Sequence, residues 1–171
     1  SGLRERWAPA SELDAEGGVV APGFVDAHVH PAFAEGRAGE FALRSRGADY
    51  QEIAAAGGGI LSSVRAVRGL SEEELALKVA GHFRRMRRHG TTSCEAKSGY
   101  GLTVGEELKS LRAIAAAAES TGMEVFPTFL GAHAVPEEHR DDPDRWVDAL
   151  CDEGLPAAAE SGLARAADVF I

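Results

Sequence analysis

Cysteine is scarce in this chain. Cys94 and Cys151 are the only two among 171 residues, they lie far apart, and they form no CxxC pair. Such usage reads as reduced thiols in a cytoplasmic protein. Long apolar runs are missing as well: no window approaches the ~20 continuous apolar residues of a membrane span. Positive charge is in deficit, with 18 Lys and Arg against 27 Asp and Glu and a net charge of -9. That balance argues against nucleic acid or an anionic membrane as a partner. No low-complexity segment or block of like charge interrupts the sequence. What remains is ordinary globular material, 44% hydrophobic and 26% charged, with enough apolar content for a core.

The chain opens at Ser1 without a methionine and closes on the apolar run AADVFI, with neither turn nor polar tail. Terminal residues are usually exposed and polar, so a piece of a longer chain is expected.

Between the ends, strand and helix patterns alternate. GVVAPGFVDAHVH (18–30) reads as strand, a kink at Pro22-Gly23, and strand again. Residues 31–69 are irregular, with a short helix expected around YQEIAAA (50–56) and a glycine run at 57–59. LSEEELALKVAGHFRRMRRHG (70–90) carries a full set of helix signals. Ser71 and Glu74 make a capping box, Leu70 and Leu75 a hydrophobic staple, and Leu75, Val79, Phe83 and Met86 one apolar stripe. Arginines fill the last turn and Gly90 suits the stop. The pattern then repeats: strand at 91–96, helix at 103–122 capped by Thr103 and Glu106 and stopped by Gly122, and strand at 123–133. A helix over 142–162 follows, with Asp142 as N-cap and Pro143 at its first position, and ADVFI begins one more strand. Alternation at roughly 30 residues per unit predicts parallel βα units. A doubly wound sheet and a (β/α)8 barrel both fit it. A barrel needs ~250 residues, so this chain supplies about its first half, and the abrupt end at Ile171 favours that reading.

In a strand, alternate residues share a face. Phe24, Asp26, His28 and His30 therefore point one way, and Ala27 and Val29 the other. His28 and His30 can converge on one ion at the C-terminal strand end, where barrel enzymes place their sites. Neutral imidazole suits zinc or iron(II), and a catalytic zinc usually takes three protein ligands plus water. Two histidines closing a strand with no metal fit the spacing equally well. KSGYG (97–101) is a glycine-bracketed loop at the same rim, where Tyr100 can offer its hydroxyl to a substrate; an ordinary βα turn is the plain alternative. His133, in FLGAHAVP, also follows a strand. Arg37 adds a fixed positive charge shaped to hold a carboxylate by two hydrogen bonds, or it is a solvated loop residue. Glu95 and Lys97 alternate onto one face and can pair inside the barrel. His82, His89 and His139 show no convergence and are expected at the surface.

Taken together these motifs are more specific than their parts. PGFVDAHVH resembles the first-strand signature of the amidohydrolase superfamily. HPAFAEGRAGEF, AAAGGGI, KSGYGL, ELKSLR and TFLGAHAVP, in this order, resemble the imidazolonepropionase family over essentially the whole chain. The resemblance implies an α/β fold: the first half of an amidohydrolase-type (β/α)8 TIM barrel over residues 22–171, preceded at 1–21 by the tail of a small β-sandwich segment. It implies a cytoplasmic hydrolase of histidine degradation that converts 4-imidazolone-5-propanoate to N-formimidoyl-L-glutamate by a metal-activated water. One divalent or trivalent ion, zinc or iron, would be held by His28 and His30. Arg37, Tyr100 and His133 match substrate-contacting positions. The family's remaining ligands and its general base would lie beyond Ile171, leaving this piece inactive alone, and the full-length protein would be a homodimer. A related hydrolase of another cyclic amide or amine, and a half-barrel without catalysis, are the alternatives. One departure is Val29, where the superfamily often has a hydroxyl residue between the two histidines; it points away from the metal side.

Overall fold

Four strands pair in one parallel sheet in the order β1-β2-β3-β4: β1 (Phe24–Val29), β2 (Thr91–Lys97), β3 (Glu124–Ala132) and β4 (Ala166–Val169). They come from a computed structural model that describes residue 6, residues 11–49, residue 52 and residues 58–171. The order separates the two architectures the sequence leaves open. A doubly wound sheet reverses its strand order at a switch point, whereas a barrel adds each new strand on the same side. Here every strand is added on the same side, and the arrangement is the first half of a barrel.

The helices are α1 (Ala38–Ser45), α2 (Ile60–Arg68), α3 (Glu72–Arg88), α4 (Val104–Thr121), α5 (Pro143–Ala149) and α6 (Leu155–Ser161). Both halves of the α3 capping box form, Ser71 Oγ accepting from the Glu74 amide and Glu74 accepting from the Ser71 amide. Leu75, Val79 and Phe83 are fully buried, and the core they anchor takes in Ala96 of β2 and Ala113, Ile114 and Ala117 of α4. A second cluster gathers Leu111, Phe129, Trp146 and Leu150. No helix among the described residues is long and apolar enough to cross a membrane.

Three local expectations change. The first strand starts only at Phe24, because its first rung is Phe24 opposite Thr91, where β2 itself begins; Gly18–Val20 pair with no strand among the described residues. The helix over 142–162 is broken by a π-helical turn at Leu150–Gly154. Pro156 explains it: the residue has no N–H to donate and its ring crowds the preceding turn, so the helix widens to pass it. At α4, Thr103 caps as expected through the Glu106 amide, but the Glu106 carboxylate turns to Lys109 at 2.5 Å and leaves the reciprocal half of the box unmade. The helix expected over 50–56 lies almost wholly outside the described residues.

Glu95 and Lys97 pair as the alternation predicts, Lys97 Nζ to Glu95 Oε1 at 2.7 Å, and Lys97 continues to Asp168 Oδ2 at 2.9 Å. β2 and β4 are separated by β3, a spacing of roughly 9–10 Å in a flat sheet. Two side chains that bridge it directly lie on a concave face, so this ion chain records the curl of the sheet. Burial disfavours the ammonium, yet the hydrogen bonds to Asp168 and Glu95 more than offset it and hold Lys97 above its usual pKa. The hydrogen bond from Lys97 holds Asp168 below the ordinary carboxylate value.

Lys97→Met in the full-length protein leaves two carboxylates facing each other and lowers stability by on the order of 3 kcal/mol, read from the denaturant midpoint. Asp168 has a depressed folded-state pKa, so its contribution is complete above the unfolded value of ~3.9 and is lost as pH falls through the folded one. Asp168→Asn therefore removes part of the stability above pH ~4 and flattens the profile below it; an unchanged acid limb contradicts the pairing. The outer strands expose apolar side chains, Phe24 and Val25 on β1 at 68% and 73% and Val169 on β4 at 58%. Parallel edges with apolar flanks associate, so residues 1–171 expressed alone self-associate or aggregate. A soluble monomer by light scattering would refute this.

Candidate active site

At the C-terminal end of β1 the alternation delivers His28 and His30 to one face, and their Nε2 atoms approach to 3.1 Å. Two imidazole nitrogens that close need a proton or a cation between them. A tetrahedral ion with bonds of ~2.0–2.1 Å holds its ligand nitrogens roughly 3.3 Å apart, so the pair fits two ligands of one metal. Burial, followed by the charges of His133, His28 and Lys97, lowers the His30 pKa to about 4. The ring is thus neutral, the form that binds metals. His30 Nδ1 is buried and has no hydrogen-bond partner among the described residues. Those residues contain no group of three His, Cys, Asp or Glu side chains placed to hold an ion. The two histidines therefore fit half of a donor set.

The rims of β2 and β3 meet this pair. The His30 ring centroid lies 5.0 Å from that of His133 and 5.8 Å from that of Tyr100, and Tyr100 and His133 are 5.2 Å apart. His133 Nδ1 is 2.7 Å from the Gly99 carbonyl oxygen. A carbonyl only accepts, so Nδ1 carries the proton and the neutral ring keeps its Nε2 lone pair free to accept. Burial raises the Tyr100 pKa, opposed by the Arg37 charge, so the phenol remains a donor at neutral pH. Arg37 shares a cleft of about 210 Å3 with His30, Phe33, Ser63 and Tyr100. Among the described residues it has one ionic neighbour, Glu40 at 3.7 Å, and its side chain is 45% exposed. All five residues singled out in the sequence thus gather at one strand mouth.

Two histidines expected at the surface have structural duties instead. His82 is half-buried, bonded to the Pro31 carbonyl at 2.9 Å and stacked on Phe33 at 4.1 Å. It pins the loop between β1 and Arg37. His139 stacks on Trp146 at 5.7 Å. His89 is exposed, as expected.

Sequence reasoning missed two residues that hold the rim. Arg68 donates to the carbonyls of Gly101 (2.7 Å) and Leu102 (3.0 Å) and pairs with Glu138 at 2.5 Å, so it ties the loop after β2 to the loop after β3. Glu107 is fully buried under the same loop. A signal for it was available: Glu107 falls in helical register with Leu111 and Ile114 on the buried stripe of α4, where a carboxylate requires donors.

A family model described as the amidohydrolase family matches residues 19–170. Among curated relatives, the imidazolonepropionase of Aeromonas salmonicida is 52% identical over 162 residues, covering 95% of this chain and 39% of the relative. That of Symbiobacterium thermophilum is 55% identical over 159 residues, covering 92% and 37%. That of Myxococcus xanthus is 51% identical over 164 residues, covering 95% and 39%. The chain spans about two fifths of the length of these relatives. With a sequentially ordered half-barrel and a family match over nearly its whole length, the chain belongs to the amidohydrolase family.

Proposed function

We propose that the full-length protein carrying this chain is a metal-dependent hydrolase that opens 4-imidazolone-5-propanoate to N-formimidoyl-L-glutamate, a cytoplasmic step of histidine degradation. One observation carries the reading: His28, His30, Tyr100 and His133 converge at one strand mouth, with Arg37 on the same cleft. A chain about half identical to imidazolonepropionases supports the choice of substrate. By the family resemblance, residues 1–21, of which 1–5 and 7–10 lie outside the described residues, end a β-sandwich segment, and residues 22–171 are the first half of the barrel.

His28 and His30, whose Nε2 atoms converge, would hold zinc or iron together with ligands from segments outside this chain. The bound ion supplies an activated water for amide hydrolysis. The general base of the reaction would also come from segments outside this chain. The residues of this chain bind and orient. Arg37 donates the two N–H groups of its guanidinium fork to the propanoate carboxylate. Tyr100 donates its hydroxyl proton to the ring or its carbonyl, and His133 offers Nε2 as acceptor to a ring N–H. Fixing the substrate at its carboxylate and at its ring restricts it to the orientation that hydrolysis needs.

The full-length protein is expected to turn over 4-imidazolone-5-propanoate, to lose that activity to a chelator and to regain it with zinc or iron. Absence of turnover in the metal-loaded protein would overturn the assignment. Arg37→Ala removes a charge-assisted bond and raises KM for the carboxylate substrate about 10- to 100-fold. A neutral analogue lacking the carboxylate is expected to show little change. Equal effects on both would point to a different cyclic amide as substrate.

A further inference from the structure

Glu107 takes no part in the reaction above, yet it is the most completely satisfied side chain near it. A carboxylate removed from water is costly unless its oxygens find donors. Glu107 Oε2 accepts from the Gly99 amide at 2.6 Å, and Oε1 from the amides of Gly101 and Leu102, both at 2.8 Å. The Ser98 hydroxyl bonds to the same carboxylate. For these amides to converge, the backbone turns left-handed at Gly99 (φ 108°) and at Leu102 (φ 51°). Successive N–H groups curved around one point form an anion-binding concavity. Here the anion is the chain's own side chain, delivered by the first turns of α4.

The bonded residues are also those that carry the rim. Tyr100 lies between Gly99 and Gly101, and both are tied to Glu107. Gly99 passes the constraint onward, because its carbonyl accepts the bond from His133 Nδ1. Space enforces the same path: a Cβ on Gly99 would lie 3.0 Å from His133 Nδ1, and one on Gly101 2.5 Å from the Glu106 carbonyl carbon. We propose that Glu107 is a positioning residue that sets Tyr100 and His133 relative to each other through the Ser98–Leu102 loop.

The kinetic arm of the test rests on the proposed hydrolase reading; the exchange arm does not. Both use the full-length, metal-loaded protein. Glu107→Gln keeps the shape but turns an NH2 donor toward backbone donors. In the parent, the Gly99, Gly101 and Leu102 amides are expected to be protected from hydrogen exchange. In E107Q they exchange at least about tenfold faster, while Val79 and Phe83 amides in α3 and the metal content are unchanged. E107Q lowers kcat/KM about 10- to 100-fold. In a Tyr100→Phe, His133→Asn background the same change costs less than about threefold, because its effect passes through those two residues. If E107Q does not fold, Glu107→Asp, which keeps the charge on a shorter stem, takes its place in the cycle. Parent amides that exchange like those of an open loop would overturn the proposal. So would an equal kinetic cost in both backgrounds, which marks a purely structural residue. If the parent shows no turnover, the reaction assignment falls, and the exchange arm alone decides whether Glu107 holds the loop.

Discussion

The parallel pairing of β2 with both neighbours is the constraint on which the rest depends. Parallel strands must all end on the same side. Once β2 pairs with β1 and β3, the strand ends bearing His28 and His30, the Ser98–Leu102 loop and His133 have a common rim and no other place to go. A single antiparallel strand would send one of them to the opposite face. The buried contact of α3 and α4 holds that pairing from outside. The Glu95–Lys97–Asp168 chain holds its curl from inside. The site is thus a by-product of topology first and of individual side chains second.

Much of this was legible because it is written in local code. The α3 boundaries are carried by Ser71, Glu74 and Gly90 within the helix and its ends, and the strand alternation of His28 and His30 depends only on neighbours along the chain. The five rim residues could be gathered because each lies at the C-terminal end of a strand or in the loop after it. A shared rim follows from the βα order alone. Strand order was not legible, since alternation is the same in a doubly wound sheet. It required the register of Phe24 with Thr91 and of Thr128 with Ala166.

What escaped is non-local or partner-dependent. Gly18–Val20 look like a strand by composition but have no neighbouring strand among the described residues, and a strand exists only as half of a pair. His82 looks like a polar residue on a surface helix, and only the return of Pro31 and Phe33 past it makes it a pin. Pro156 sat in plain view inside a helical pattern. Proline needs relief from the preceding turn, and a π turn provides it without ending the helix. Arg68 is thirty-three residues from the carbonyl of Gly101 that it binds, a separation no periodicity reaches.

Leu102 shows how such a rim is kept. It is a branched residue in a backbone region that costs an L-amino acid roughly 1–2 kcal/mol, and glycine would sit there without strain. Yet its side chain is fully buried, and burying a leucine returns about 1.5–3 kcal/mol. The two quantities nearly cancel, with burial slightly ahead. Leucine there exchanges conformational ease for a fixed loop: a glycine would free the hinge next to Tyr100, whereas leucine locks it into the core at almost no net cost.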